Sequence, residues 1–285
     1  MPIVSTPPNV ALMLDVRSAA VAVVKATAAT ADRLRRPPRG VVFLIYHRVG
    51  GRTSITVDLP TGLFDEQMAW LASSRRVVSI DEALVTLERA EAPLHDPVVV
   101  TFDDGTADLV EDALPILCTH RVPAVFYLAT DFIEHSRPFP NNGAPLSWAA
   151  VRDAVSTGLV TVGSHTDTHA LLDRIDPAVA AAELDRSRAL IEERAGVAAL
   201  DFAYPKAVVG SPEVEVLVRQ RFRSAALGGS RPNPYGSTDY HRLARSAVQR
   251  SDGMRYFEHK ACGGMALEDR LRRSVNRLRY ASAVS

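Results

Sequence analysis

The chain has 285 residues, 47% of them hydrophobic and 23% charged, with 33 basic and 33 acidic side chains and a formal net charge of +0. That length and apolar content suit one large α/β domain, and electrical neutrality argues against nucleic acid as the main partner. The two cysteines, Cys118 and Cys262, lie far apart without metal-ligand spacing, which excludes a thiolate zinc site and a disulfide framework and leaves His and carboxylate to hold any metal.

The first predicted element is an amphipathic helix of about 20 residues near the N-terminus. Val10 to Val24 is apolar-rich but interrupted by Asp15 and Arg17, and no basic residue precedes it, so it lacks the order of a secretory signal. No apolar run approaches the roughly 18 residues of a membrane span. Residues 35–40, Arg-Arg-Pro-Pro-Arg-Gly, read as a linker. Val41 to Tyr46 is an apolar run short enough for a buried strand, and it ends in His47-Arg48. The spacing of Phe64, Met68 and Leu71 predicts a helix over 64–74; 76–80 reads as a short strand and 81–90 as a helix capped by Ser79 or Asp81. Val98 to Val100, three β-branched residues in a row, predict a strand buried on both faces that runs into Asp103, Asp104 and Gly105. A helix over 108–120 and a strand over 124–129 follow.

The loop 136–145, rich in Pro, Asn and Gly, is long enough to overhang a site. Ser147 to Thr157 reads as a helix closed by Gly158, and 159–162 as a strand followed by Gly163-Ser164-His165. Asp176-Pro177 supplies an N-cap and a first-turn proline for a helix to about Ala195. Asp201 to Tyr204 is a strand stopped by Pro205, Ser211-Pro212 opens another helix, and Ser224–Leu227 and Leu243–Val248 are the last strands. Residues 252–280 read as helical in pieces. Strands alternating with helices imply right-handed crossovers and a parallel sheet, and about eight strands suit a closed or nearly closed barrel.

His47, Asp103-Asp104, His165 and Tyr204-Pro205 all stand at the C-terminal ends of separate predicted strands, which in a parallel α/β barrel is the face where sites form. A carboxylate at a buried strand end is costly unless it is paired or binds metal, and two adjacent ones suggest one ligand and one base. A lone Asp-Gly would read as a helix cap. The sharpest piece is His165-Thr-Asp-Thr-His169, two histidines four apart, expected on one face of a helical turn where both rings reach one metal. With Asp104 they make two imidazoles and a carboxylate, leaving positions open for water and substrate.

Thr101-Phe-Asp-Asp-Gly105 and His165-Thr-Asp-Thr-His169 resemble the first two motifs of the polysaccharide deacetylase family, the NodB-type enzymes of carbohydrate esterase family 4. Tyr46-His47-Arg48-Val49 and Phe202-Ala-Tyr-Pro205 are similar to further segments of it, in the branch that deacetylates poly-N-acetylglucosamine. The resemblance covers residues 41–250 and implies a distorted (β/α) barrel: residues 1–39 are then an N-terminal helix and linker, 40–250 a single catalytic domain, and 251–285 a basic helical extension. It implies hydrolysis of N-acetyl, in some members O-acetyl, groups on a sugar, polysaccharide or lipid-linked glycan, with one divalent ion, zinc or else cobalt, nickel or iron. Asp104, His165 and His169 would hold the metal, Asp103 would be the general base, and a backbone N–H near Tyr204 and Pro205 would face the oxyanion.

A general acid must also protonate the leaving amine, and His47 and His241 are its two candidates. The chain departs from the family where Lys206 follows Pro205 and no Arg stands nearby to orient the base, and where the late Leu-x-His motif reads Leu243-Ala-Arg245. Two rival readings use the same residues. His165-x-Asp167 with His241 is the ligand pattern of a non-haem iron oxygenase, which would sit on a jelly-roll. An incomplete acid motif also suits a glycan-binding pseudoenzyme. The basic segment 268–280 carries Leu271, Val275 and Leu278 on one side; it reads as a solvated face, with peripheral contact at the inner membrane face as the alternative for an otherwise cytoplasmic chain.

Overall fold

The computed structural model describes residues 8–89 and 91–271. Its first half contains α1 (Pro8–Leu34), β1 (Val42–Tyr46), β2 (Arg48–Val49), β3 (Asp58–Leu59), α2 (Thr61–Ser74), β4 (Arg76–Val77), α3 (Ile80–Leu87) and β5 (Pro97–Phe102). There follow α4 (Leu114–His120), β6 (Ala124–Leu128), α5 (Thr130–Glu134), α6 (Trp148–Ser156), β7 (Val160–Ser164) and α7 (Pro177–Ala195). The last elements are β8 (Asp201–Ala203), α8 (Pro212–Arg221), β9 (Ser224–Gly228), β10 (Leu243–Ala247) and α9 (Gly253–Ala261).

The long strands pair in parallel in the order β1-β10-β9-β8-β7-β6-β5, and β1 pairs with β5 to close a seven-stranded barrel. β4 lies outside the ring, against the first residues of β5, below the point where β6 begins its own pairing. The alternation of side chains along each strand divides the apolar residues in two. Phe43, Val99, Val125, Tyr127, Ala203, Ala226 and Leu243 point into the lumen, where Ile80, Ala83, Leu84 and Leu87 of α3 plug its lower end. The opposite faces of β1, β5 and β6 pack outward on α2, α4 and α9, and those of β8 and β9 on α7 and α8. Each such Val, Leu or Phe removed from water contributes about 1.5–3 kcal/mol. Gly163 of β7 is a glycine because a Cβ there would stand 2.6 Å from the Tyr127 ring and 2.7 Å from the Asp201 carbonyl oxygen.

Helix starts follow their capping residues. Ser79, Ser147, Asp176 and Ser211 each accept a backbone N–H of the first turn of α3, α6, α7 and α8. Several expectations change. α1 is longer than expected, running 27 residues. The strand expected over 76–80 is two residues long, because Ile80 already opens α3 under the Ser79 cap. The helix expected over 108–120 starts with a π-type turn at Leu109–Ala113. Among the described residues no helix is long and apolar enough to cross a membrane, and the expected basic helix over 268–280 lies outside them beyond Leu271.

Two of the three lysines are buried beside one carboxylate. Lys25 of α1 hydrogen-bonds Asp252 and Ser251, and Lys260 of α9 reaches both Asp252 oxygens at 2.9 and 3.0 Å and the Ala247 carbonyl at 2.8 Å. Glu268 stands 3.3 Å from Lys260 and 3.8 Å from Lys25. Burial opposes ionisation of Asp252, yet the two ammonium groups hold its carboxyl below the ordinary value.

Candidate active site and metal centre

Strand alternation places Val99, Thr101 and Asp103 on the lumen side of β5 and its end, so the Asp103 carboxylate enters the upper mouth of the barrel. Its amide donates to the Tyr46 carbonyl at 3.0 Å, which sets Asp103 beside His47, the next residue after β1. The chain then turns sharply through two left-handed residues, Asp104 at φ 76° and Gly105 at φ 104°. The turn is pinned by the Ala129 amide on the Asp104 carbonyl (2.9 Å) and the Leu146 amide on the Gly105 carbonyl (3.0 Å). Asp104 therefore points away from Asp103 and toward the end of β7.

There the His165 and His169 rings stand with centroids 5.0 Å apart, and their Nε2 atoms lie 3.7 and 3.5 Å from Asp104 Oδ1. The two histidines do not share a helical turn, as their spacing suggests. Residues 165–169 form an irregular loop, with Thr166 at φ 65° and His169 at φ 62°, which helical backbone excludes. One ligand atom from each of Asp104, His165 and His169 fits within 4.8 Å of the others. Donors each about 2.1 Å from a tetrahedral ion stand about 3.4 Å apart, so the set fits a divalent cation. His165 Nδ1 donates to the Ala203 carbonyl at 2.7 Å, which leaves Nε2 as the free lone pair. Burial pushes the His165 imidazole below its ordinary value despite Asp103 and Asp104. Burial, with His165 adding to it, takes His169 down to about 4. Both rings are thus neutral, the form that binds a metal.

Asp103 has a partner that the sequence conceals. Arg245 of β10, fully buried, grips Asp103 through both oxygens, Nη1 to Oδ1 at 2.7 Å and Nη2 to Oδ2 at 2.9 Å, while Nη1 also reaches Thr101 Oγ1 at 3.0 Å. Its guanidinium lies 5.1 Å from the centroid of the Tyr127 ring. Burial alone would raise the Asp103 carboxyl, but Arg245, then His165 and His47, bring it down to about 2. An arginine that fixes the Asp103 carboxylate is therefore present, on a different strand from Tyr204. Its legible signal is Leu243, whose lumen-facing register carries Arg245 two residues on.

His241 is not brought to this site. It precedes β10, at the N-terminal ends of the strands, where Nε2 lies 2.8 Å from the Phe222 carbonyl and Nδ1 is 3.3 Å from Arg219. His47 does reach the upper mouth; its Nδ1 is buried and has no hydrogen-bond partner among the described residues. The Tyr204 amide, expected to face an oxyanion, donates instead to the Ala226 carbonyl at 3.1 Å, and the Tyr204 ring packs edge-on against Phe202. Pro205 has no N–H, so the first amide this turn can offer is that of Lys206, at φ 55°. Asp167 is not among the converging ligands: its carboxylate takes the Thr130 hydroxyl at 2.7 Å and Arg186 Nε at 2.8 Å. With a parallel barrel in place of a jelly-roll and His241 at the far end, the iron-oxygenase pattern has no geometry.

Residues 91–222 match the family described as polysaccharide deacetylase. The Bacillus subtilis (strain 168) protein YxkH, which carries the provisional name polysaccharide deacetylase, is 25% identical over 218 residues, 76% of this chain and 74% of its own length. Among solved structures, the Streptococcus pyogenes deacetylase PplD in complex with acetate aligns with a TM-score of 0.69 at 19% identity, over 79% of this chain and 99% of that one. IcaB from Ammonifex degensii aligns with a TM-score of 0.69 at 24% identity, over 79% and 98%. The likeness to these two structures is one of fold.

Proposed function

We propose that the chain is a member of the polysaccharide deacetylase family, a reading supported by the family match over residues 91–222, the likeness to YxkH and the shared barrel fold, and that it is a metal-dependent hydrolase that removes N-acetyl groups from a sugar or glycan. The observation that carries this reading is the pairing of two differently treated carboxylates: Asp103 clamped by Arg245, and Asp104 turned toward two neutral imidazoles. Neighbouring residues with such different surroundings suit a division into base and ligand. Asp104, His165 and His169 would hold one divalent ion, with zinc the best match to two nitrogens and a carboxylate. The ion supplies Lewis acidity, lowering the pKa of water and polarising the acetyl carbonyl.

The chain's own residues do the rest. Asp103, kept ionised and oriented by the bidentate arginine, accepts the proton of the attacking water. The Lys206 amide offers a donor to the oxyanion that forms on the former carbonyl. His47 donates a proton to the departing nitrogen, which is too poor a leaving group as an amide anion. A glycan in the poly-N-acetylglucosamine class is the substrate we favour, since Tyr46-His47 and Phe202-Ala-Tyr-Pro205 resemble that branch.

Zinc content and acetate release, measured across N-acetylglucosamine oligomers and O-acetylated glycans, test the reading. Asp103→Asn should keep the metal and lose about 10²–10⁴-fold in kcat. A zinc-loaded wild-type chain that releases acetate from none of these would favour a glycan-binding role.

A further inference from the structure

The irregular 165–169 loop has to be held by something. Left-handed backbone at Thr166 and His169 is rare for residues with a Cβ, and it persists only where the surroundings over-determine it. Those surroundings are the start of α5, whose Thr130 and Asp131 amides donate to the Thr166 and Asp167 carbonyls at 3.3 and 3.0 Å, and one turn of α7. Glu183 accepts the amides of Asp167 (3.1 Å) and Thr168 (2.8 Å) on Oε2, and the Thr168 hydroxyl (2.8 Å) on Oε1. Arg186 holds the Asp167 carboxylate from outside at 2.8 Å while Thr130 holds it from inside at 2.7 Å. Ser187 shares a 2.8 Å hydrogen bond with Ser164, whose oxygen accepts the Thr166 amide at 3.3 Å. Glu183, Arg186 and Ser187 are spaced i, i+3, i+4 and so form one patch on the helix. Beside Leu184 and Ile191, which bury α7 in the apolar core, this patch is polar: Glu183 and Arg186 bind the segment between the two histidines, and Ser187 binds Ser164 just before it.

We propose that this turn of α7 is the alignment device of the metal centre, with Glu183 as its principal positioning residue. By tying down the amides of Asp167 and Thr168 it fixes the separation of His165 and His169, so both imidazoles converge on Asp104 before any ion binds. The proposal rests on the reading that Asp104, His165 and His169 take a divalent cation. Outer partners of this kind, when removed, weaken metal binding by about 10–100-fold. Thr168 is exposed and Glu183 only half-buried, so water can solvate the freed Thr168 amide, while the buried Asp167 keeps its Thr130 and Arg186 contacts. Loss of Glu183 therefore loosens the loop more than it unfolds the barrel.

The test is the Zn²⁺ dissociation constant of the full chain, read by competition with a chromophoric chelator, alongside the melting temperature of the metal-free protein. Glu183→Ala should bind Zn²⁺ about 10–100-fold more weakly with a shift of only a few degrees in melting. Glu183→Gln, which keeps one acceptor oxygen, should fall between it and wild type, and it carries the test if the alanine variant does not fold. Glu193→Ala, an exposed carboxylate further along α7, should bind like wild type. Unchanged Zn²⁺ affinity in Glu183→Ala, or an equal loss in Glu193→Ala, overturns the proposal. A wild-type chain that binds no Zn²⁺ removes the metal reading itself, and the alignment role with it.

Discussion

Replacing Arg245 by Gln should invert the pH dependence that Asp103 gives to stability. In the native chain the Asp103 carboxyl titrates at about 2, against 3.8 for an ordinary aspartate, a difference corresponding to about 2.5 kcal/mol in favour of the charged form. A folded value below the unfolded one stabilises the fold above pH 3.8, and that contribution is lost as the pH falls through about 2. Without the guanidinium, burial dominates and drives the folded value above the unfolded one. Asp103 then favours the fold only while protonated, and it destabilises as the pH rises past the unfolded value. At neutral pH the uncompensated buried carboxylate should cost about 3–5 kcal/mol. Urea unfolding of the metal-free wild type and Arg245→Gln between acid and neutral pH reads this directly, since the difference between the two curves isolates the pair. The acid limb of kcat/KM for acetate release should move upward in the variant, because a larger fraction of the base is protonated. Parallel stability profiles, or an acid limb that stays put, would refute the assignment of Arg245 as the group that keeps Asp103 ionised.

The two histidines considered as general acid separate cleanly. His47→Gln should keep its zinc and lose about 10²–10⁴-fold in kcat, measured by acetate release with metal analysis on the same sample. His241→Gln should leave kcat unchanged and cost about 0.5–1.5 kcal/mol in urea unfolding, the worth of its hydrogen bond to Phe222; a large kcat loss there would contradict its place at the lower end of the barrel. Gly163→Ala should destabilise by about 1–3 kcal/mol, since the new methyl meets the Tyr127 ring at 2.6 Å and a backbone oxygen at 2.7 Å. A melting temperature equal to wild type would mean that β7 and Tyr127 can part freely.

What could be read from residue order was whatever depends on near neighbours. Val98 to Val100 announce a buried strand, Asp176-Pro177 a helix start, and Asp103-Asp104 and His165-Thr-Asp-Thr-His169 the two halves of a candidate ligand set, because each of these patterns lies within a few positions. Arg245 escapes such reading: its partner is 142 residues away and the two meet only because β10 and β5 both flank β1. The same limit affects His241 and His47. Both adjoin a strand, but only His47 follows one, and in an all-parallel barrel the end decides the face. The left-handed turns at Thr166 and His169 were hidden because i, i+4 spacing reads as helical unless a contact such as Glu183 overrides it.

The shared carboxylate of Asp252 has a consequence for how the chain is made. Lys25 and Asp252 are 227 positions apart, and at about 5–20 residues per second a ribosome separates their appearance by roughly 10–50 s. Through that interval α1 exists without the acid that answers its buried ammonium group. Arg245 likewise emerges long after Asp103, so the Asp103 carboxylate waits for the strand that completes the barrel. α1 is synthesised long before α9 and is among the last parts to be fastened, and nascent chains of this protein should stay protease-sensitive at α1 until α9 has cleared the exit tunnel.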